Sequence, residues 1–214
     1  DSKINRKTRP RNKEKRIRNM QTDKCQNTDN HVILWDRFRN GDDVSFSILY
    51  EAYSGYLYRY GLKLMPNEEE LKDCIQDLFV GLFENRKNLP STDNVLYFLL
   101  KVLRNRIIDI FRKERQLVYL PPEELQFSVN YSFDPEDDDT EEENEVLENF
   151  EKVLNMLNPR QKEAVYLRYK MNLSYEEVAQ MLEINYQSAR NLIHRSVSKI
   201  RNEMKLSVFI SLLY

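Results

Sequence analysis

Tyr186, Gln187, Ser188, Arg190, Asn191, His194 and Arg195 recur at positions that a helix would leave outside its own core. Gln, Asn and Arg make paired hydrogen bonds to base edges, and Ser, His and Arg can hold phosphates. That chemistry is the reading of a DNA major groove. An ordinary bundle with a solvated outer face would carry the same residue types without any such role. Other chemistries have less to work with. His31 and His194 are the only histidines and fall in different segments. No metal-ligand spacing, phosphate loop or dinucleotide fingerprint is present. A helical enzyme is therefore the weakest class, and no catalytic residue, metal or cofactor is expected.

The stretch "NLSYEEVAQMLEINYQSARNLIHRSVSKIRNEM" (172–204) reads as two helices joined by a tight turn. Val178, Ala179 and Leu182 make the inner stripe of the first, Ile184 plugs the turn, and Ala189, Ile193, Val197 and Ile200 line the second. Small Ala179 lets the two cross closely, as a helix-turn-helix requires. Ser174 and Glu177 have the spacing of a capping box. Asn158-Pro159 is a cap-then-proline start for the preceding helix, which carries Ala164, Val165, Leu167 and Tyr169.

Upstream, apolar spacing is helical from 32 to 115. Phe46, Leu49, Tyr50, Tyr53, Tyr56, Leu57 and Tyr60 fall along one side of a first helix, ended by Pro66 and Asn67. Glu68, Glu69 and Glu70 suit the opening turn of the next, which buries Leu71, Cys74, Ile75, Leu78, Phe79, Leu82 and Phe83. "NLPSTDN" is a loop. A third helix, from about Asp93 to Arg115, buries Leu96, Leu99, Val102, Leu103, Ile107, Ile110 and Phe111.

Only 4 Gly and little strand alternation argue for helices over a sandwich or barrel, and the expectation is an all-α chain of two small helical domains. The net charge of −2 hides a division of labour. Residues 1–24 hold 10 Lys and Arg against 3 Asp and Glu; residues 25–115 hold 13 against 14. Residues 116–151 hold none against 13, and residues 152–214 hold 10 against 5. This gives a basic disordered extension (1–31), a helical domain (32–117), an acidic flexible linker (118–146), a helix-turn-helix domain (147–205) and an apolar tail (206–214). The extension reads as a nucleic-acid arm, as a plain solvated tail, or as sequence ahead of a start at Met20. The linker cannot offset its ordering entropy by burial. The tail is about half the length a membrane-spanning helix needs. Cys25 and Cys74 read as free thiols of a reducing compartment, so the expected location is the cytoplasm.

"LNPRQKEAVYLRYKMNLSYEEVAQMLEINYQSARNLIHRSVSKIR" resembles the fourth conserved region of extracytoplasmic-function sigma factors, the specificity subunits of bacterial RNA polymerase. "LKDCIQDLFVGLFENR" resembles their second-region helix, and "FLLKVLRNRIIDIFRKERQ" the promoter-melting helix that follows it. The resemblance spans about 32 to 204, and "RNLIHRSVSKIR" looks most like the Bacteroidetes members. It implies a non-catalytic factor that binds the largest and second-largest subunits of core polymerase and recognises the upstream (minus-thirty-five) promoter element through the helix-turn-helix. Asp73, Gln76 and Asp77 match the positions that dock on the polymerase. Ser91, Thr92, Asp93 and Asn94, after Pro90, match the loop that receives a flipped base of the downstream (minus-ten) element. Arg104, Asn105, Arg112 and Lys113 would hold the adjacent backbone. A membrane-anchored anti-sigma partner fits the same picture. Phe98 stands where the family commonly has Trp, and Glu183 where the turn usually has Gly. The competing class is a transcriptional regulator with a LuxR-like helix-turn-helix output and an N-terminal helical sensor.

Overall fold

Helix boundaries here follow from short polar side chains that satisfy the first free amides of each helix. The computed structural model describes residues 30–116, 125–128 and 152–203; the basic extension except its last two residues, most of the linker and the apolar tail lie outside them. In chain order the helices are α1 (30–39), α2 (Asp43–Leu64), α3 (Glu68–Glu84), α4 (Val95–Glu114), α5 (152–155), α6 (Pro159–Tyr169), α7 (Tyr175–Met181) and α8 (Tyr186–Glu203), with a 3-10 turn at Arg86–Asn88. No strand occurs among the described residues.

Asp42 caps α2, Asn67 caps α3 and Asn94 caps α4, each through its side-chain oxygen. Asn158 with Gln161, and Ser174 with Glu177, complete reciprocal capping boxes on α6 and α7. Each such cap is worth about 1 kcal/mol. Their local nature explains why the boundaries are readable along the chain.

Two groups of helices result. In the first, α2 packs on α3 and α4, and α3 packs on α4. Leu57, Leu71, Leu78, Leu99, Leu103 and Ile107 are sealed at their centre. Gly61 permits the close approach of α2 to α3, since a Cβ there would collide with the Leu71 side chain. In the second group α6, α7 and α8 pack on one another around Leu167, Val178, Leu182 and Ile193.

Two details depart from the sequence reading. Tyr50 and Tyr56 are 45% and 37% exposed, because α3 and α4 cover a narrower side of α2 than its apolar residues span. Tyr50 lies edge-on to Phe79, and Tyr56 lies under the Arg59 guanidinium. Leu125 and Phe127, inside the stretch expected to bury nothing, are buried. The Ser128 amide donates to the Lys63 carbonyl at 2.8 Å. The Phe127 ring sits between Tyr60 of α2 and Tyr166 of α6. Two large apolar side chains are enough to seat this short piece against the seam between the groups.

Candidate nucleic-acid interface

The second helix of the helix-turn-helix begins at Asn185, whose side chain accepts from the Ser188 amide at 2.8 Å. Ala189, Ile193, Ser196 and Ile200 face the group's core. Tyr186, Gln187, Ser188, Arg190, Asn191, His194 and Arg195 are all exposed, as the sequence pattern predicts. Gln187 donates to the Asn191 carbonyl oxygen at 3.2 Å, so two amide side chains on successive turns are already oriented together. Tyr186 is partly committed: its ring meets Tyr175 edge-on at 6.3 Å, and Tyr175 in turn lies under Arg168. In the turn before α8, Glu183 takes a left-handed φ of 53°. The geometry that glycine usually supplies is thus reached by a residue with a side chain.

The loop between α3 and α4 is held from outside. Trp35 of α1 donates its indole N–H to the Pro90 carbonyl at 3.0 Å, and Arg39 donates to the Leu89 carbonyl at 2.7 Å. Phe98 packs against Trp35 with ring centroids 5.1 Å apart, so the phenylalanine serves as a packing residue. The sequence reading missed this role of α1. Ser91 and Asp93 are exposed, and Thr92 exchanges hydrogen bonds with the Asn94 backbone.

Asn94 is half-buried and Arg104 is buried, so neither stands free at the surface as the resemblance implies. Asn94 accepts from the Tyr97 amide and donates to Glu177 of α7 at 2.7 Å. Arg104 is 5% exposed and donates through Nε to Glu163 Oε1 of α6 at 2.9 Å. A buried guanidinium requires a counter-charge, and Glu163, itself 3% exposed, supplies it. Burial works to lower the Arg104 pKa, but the neighbouring Glu163 and Tyr60 raise it overall, so the side chain stays charged. The Tyr60 hydroxyl donates to the same Glu163 oxygen at 2.7 Å. Burial, then the Glu163 carboxylate, hold that hydroxyl well above its ordinary pKa and keep it a donor. The signal for this cluster was a glutamate on the apolar stripe of α6, one position before Ala164. Asn105 and Lys113 remain exposed, and Arg112 pairs with Asp109 at 3.1 Å.

Asp73, Gln76 and Asp77 lie together on the exposed side of α3, beside Val80 at 48% exposure. Leu71, Ile75 and Leu78 take the inner side, so the core needs none of the three polar residues. Among the described residues no group of His, Cys, Asp and Glu could hold a metal ion, and no helix is long and apolar enough to cross a membrane.

Residues 49–116 match the family described as Sigma-70 region 2, and residues 147–200 match Sigma-70, region 4. Together the two spans exceed half of the chain. Among similar proteins, the RNA polymerase sigma factor CarQ of Myxococcus xanthus is 24% identical over 177 residues, covering 81% of this chain and 98% of its own. The ferric citrate uptake sigma factor FecI of Escherichia coli is 23% identical, with 76% and 92% covered. The ECF RNA polymerase sigma factor SigW of Bacillus subtilis is 21% identical, with 78% and 92% covered. In fold the chain is similar to the sigma factor RpoE of Bartonella quintana, solved with the anti-sigma factor NepR. That likeness has a TM-score of 0.54 at 20% identity and covers 75% of this chain and 97% of the other. CnrH, solved with the cytosolic domain of CnrY, is similar at a TM-score of 0.53 and 16% identity, over 80% and 94%.

Proposed function

Because the chain belongs to the sigma-70 family, as an extracytoplasmic-function sigma factor, we propose that its two helical groups divide promoter reading between them. It is an alternative sigma factor that directs promoter-specific transcription initiation by core RNA polymerase. In the proposed division, α8 reads the upstream element with Gln187, Arg190 and Asn191, while Ser188, His194 and Arg195 hold phosphates. The loop Ser91–Asn94 and α4 take the melted downstream element, and Asp73, Gln76 and Asp77 dock the polymerase. A single observation supports the α8 assignment: its exposed run of hydrogen-bonding side chains serves no core contact, while its opposite face is fully committed.

The factor is assigned no reaction of its own and works in the bacterial cytoplasm, where polymerase and promoters are. RpoE and CnrH were solved with an anti-sigma factor and with the cytosolic domain of CnrY respectively, and an inhibitory partner of that kind is proposed for this chain. A sensor-switched regulator is not favoured, because the region a sensor would occupy matches Sigma-70 region 2.

The test is transcription from a promoter library by core polymerase with this chain as the sole initiation factor. Sequence-selected transcripts are expected. Arg190→Ala or Gln187→Ala should weaken use of particular upstream sequences by roughly 1–3 kcal/mol if the lost contact is a paired one to a base. Loss that is uniform across all sequences would reassign those side chains to phosphates.

A further inference from the structure

Tyr186, the first residue of α8, is 43% exposed, and it is the one large hydrophobic side chain that this helix exposes. Its neighbours on the same face, Gln187, Ser188, Arg190, Asn191, His194 and Arg195, end in amides, a hydroxyl, guanidinia and an imidazole. Such a set sorts base pairs by their hydrogen-bond donors and acceptors. It holds nothing that answers to the C5 methyl group, by which thymine is marked in the major groove. The Tyr186 ring is also braced. Its edge-on meeting with Tyr175, at 6.3 Å between centroids, is backed by the Arg168 guanidinium 4.9 Å over the Tyr175 ring. Arg168 is itself fixed, donating from Nη1 to the Leu173 carbonyl at 2.8 Å. We propose that Tyr186 is a thymine reader: its ring packs against the C5 methyl of one thymine in the upstream element, while its polar neighbours read the adjacent pairs. This deepens, and rests on, the assignment of α8 to that element.

Position and bracing both favour the ring as the reading group. In a helix-turn-helix the residues of the recognition helix's first turn approach the base edges, and Asn185 caps that turn just ahead of Tyr186. A ring held on one side and open on the other has little freedom left to lose when a base settles against it. Two other roles make different demands. A hydroxyl donating to a phosphate would carry no sequence information. A ring that only holds α7 against α8 would leave promoter choice untouched. One methyl group taken out of water is worth about fourfold in binding. That sets a preference at a single base pair and leaves the rest of the element to the hydrogen-bonding side chains.

The test uses the full chain bound to core polymerase, on a promoter taken from the library selection above. Each thymine of the upstream element, on either strand, is replaced in turn by deoxyuridine, which lacks only the methyl group. One replacement should lower initiation about fourfold at subsaturating holoenzyme. Tyr186→Phe should keep that sensitivity. Tyr186→Ala, at an exposed site, should lose it and initiate less well on the unmodified promoter. A second measurement needs no variant: 5-iododeoxyuridine at the sensitive position, once irradiated, should cross-link to Tyr186, as located by mass spectrometry of the digested chain. An element in which no thymine responds to uracil would overturn the proposal. So would a response that survives in Tyr186→Ala, or a cross-link that maps to another residue. A Tyr186→Phe chain that weakens equally on every sequence, with no uracil effect, would place the hydroxyl on a phosphate and overturn it too. If Tyr186→Ala loses its helicity, the cross-link decides. Failure of the sigma-factor reading would show separately, as no initiation by the unaltered chain with core polymerase on any template.

Discussion

Glu183 sits at a left-handed φ of 53° in the turn that aims α8. Around it the turn is closed by the Ile184 amide donating to the Ala179 carbonyl at 3.0 Å, and by Arg160 donating to the Leu182 carbonyl at 2.8 Å. These contacts hold a backbone that costs an ordinary residue about 1–2 kcal/mol. Glycine would remove that strain but add about 0.4–1 kcal/mol of unfolded-state entropy. Glu183→Gly should therefore stabilise the chain by about 0.5 kcal/mol, measured by chemical denaturation. Glu183→Val, branched at Cβ, should lose about 1 kcal/mol or more. A glycine variant that loses stability would show that the side chain itself matters, most simply through its electrostatic pull on Arg104.

Among the elements, α3 separates its buried stripe from its proposed docking face most cleanly. Its inner side is Leu71, Cys74, Ile75, Leu78 and Leu82, and Asp77 lies outside that stripe. Asp77→Arg should leave stability within about 0.5 kcal/mol, yet cost several kcal/mol at an interface that presents it with like charge. Melting temperature and co-purification with core polymerase, measured on the same variant, check this. A folded variant with unchanged polymerase affinity would remove the docking role from this face. The bounds of α3 and α4, and the two-helix unit of α7 and α8, were legible because caps and three-to-four spacing are local signals. Asn94, for example, both ends the loop and caps α4, whose first residue, Val95, lies two positions after the expected start near Asp93. What was not legible is long-range and polar. The pairs Tyr60–Glu163 and Arg104–Glu163 join residues 103 and 59 positions apart, and leave no periodicity in the sequence. Leu125 and Phe127 were hidden for a related reason: acids and prolines around them dominate any composition window, while burial depends on two side chains alone.

For the whole molecule, the question is whether the two helical groups are separate bodies that touch or one cooperative unit. Each has its own sealed centre, built from residues of that group. The seam adds Tyr60, Phe127 and Tyr166, plus the polar contacts of Glu163, Glu177 and Gln180. A group as small as α6–α8 buries a modest fraction of its surface and is marginal alone, so the seam should raise its stability without being required for its fold. Introducing a specific protease site between Asp134 and Glu145 tests this. The cut chain should yield two helical, protease-resistant fragments that still co-elute, because the seam does not depend on the severed peptide bond. Combining the cut with Glu163→Gln should make them elute apart, since Arg104 is then left buried without its anion. A cut chain that loses all helicity would instead mean one cooperative unit, with the seam as part of its core. Fragments that separate even with Glu163 in place would mean that the linker, not the seam, keeps the groups together.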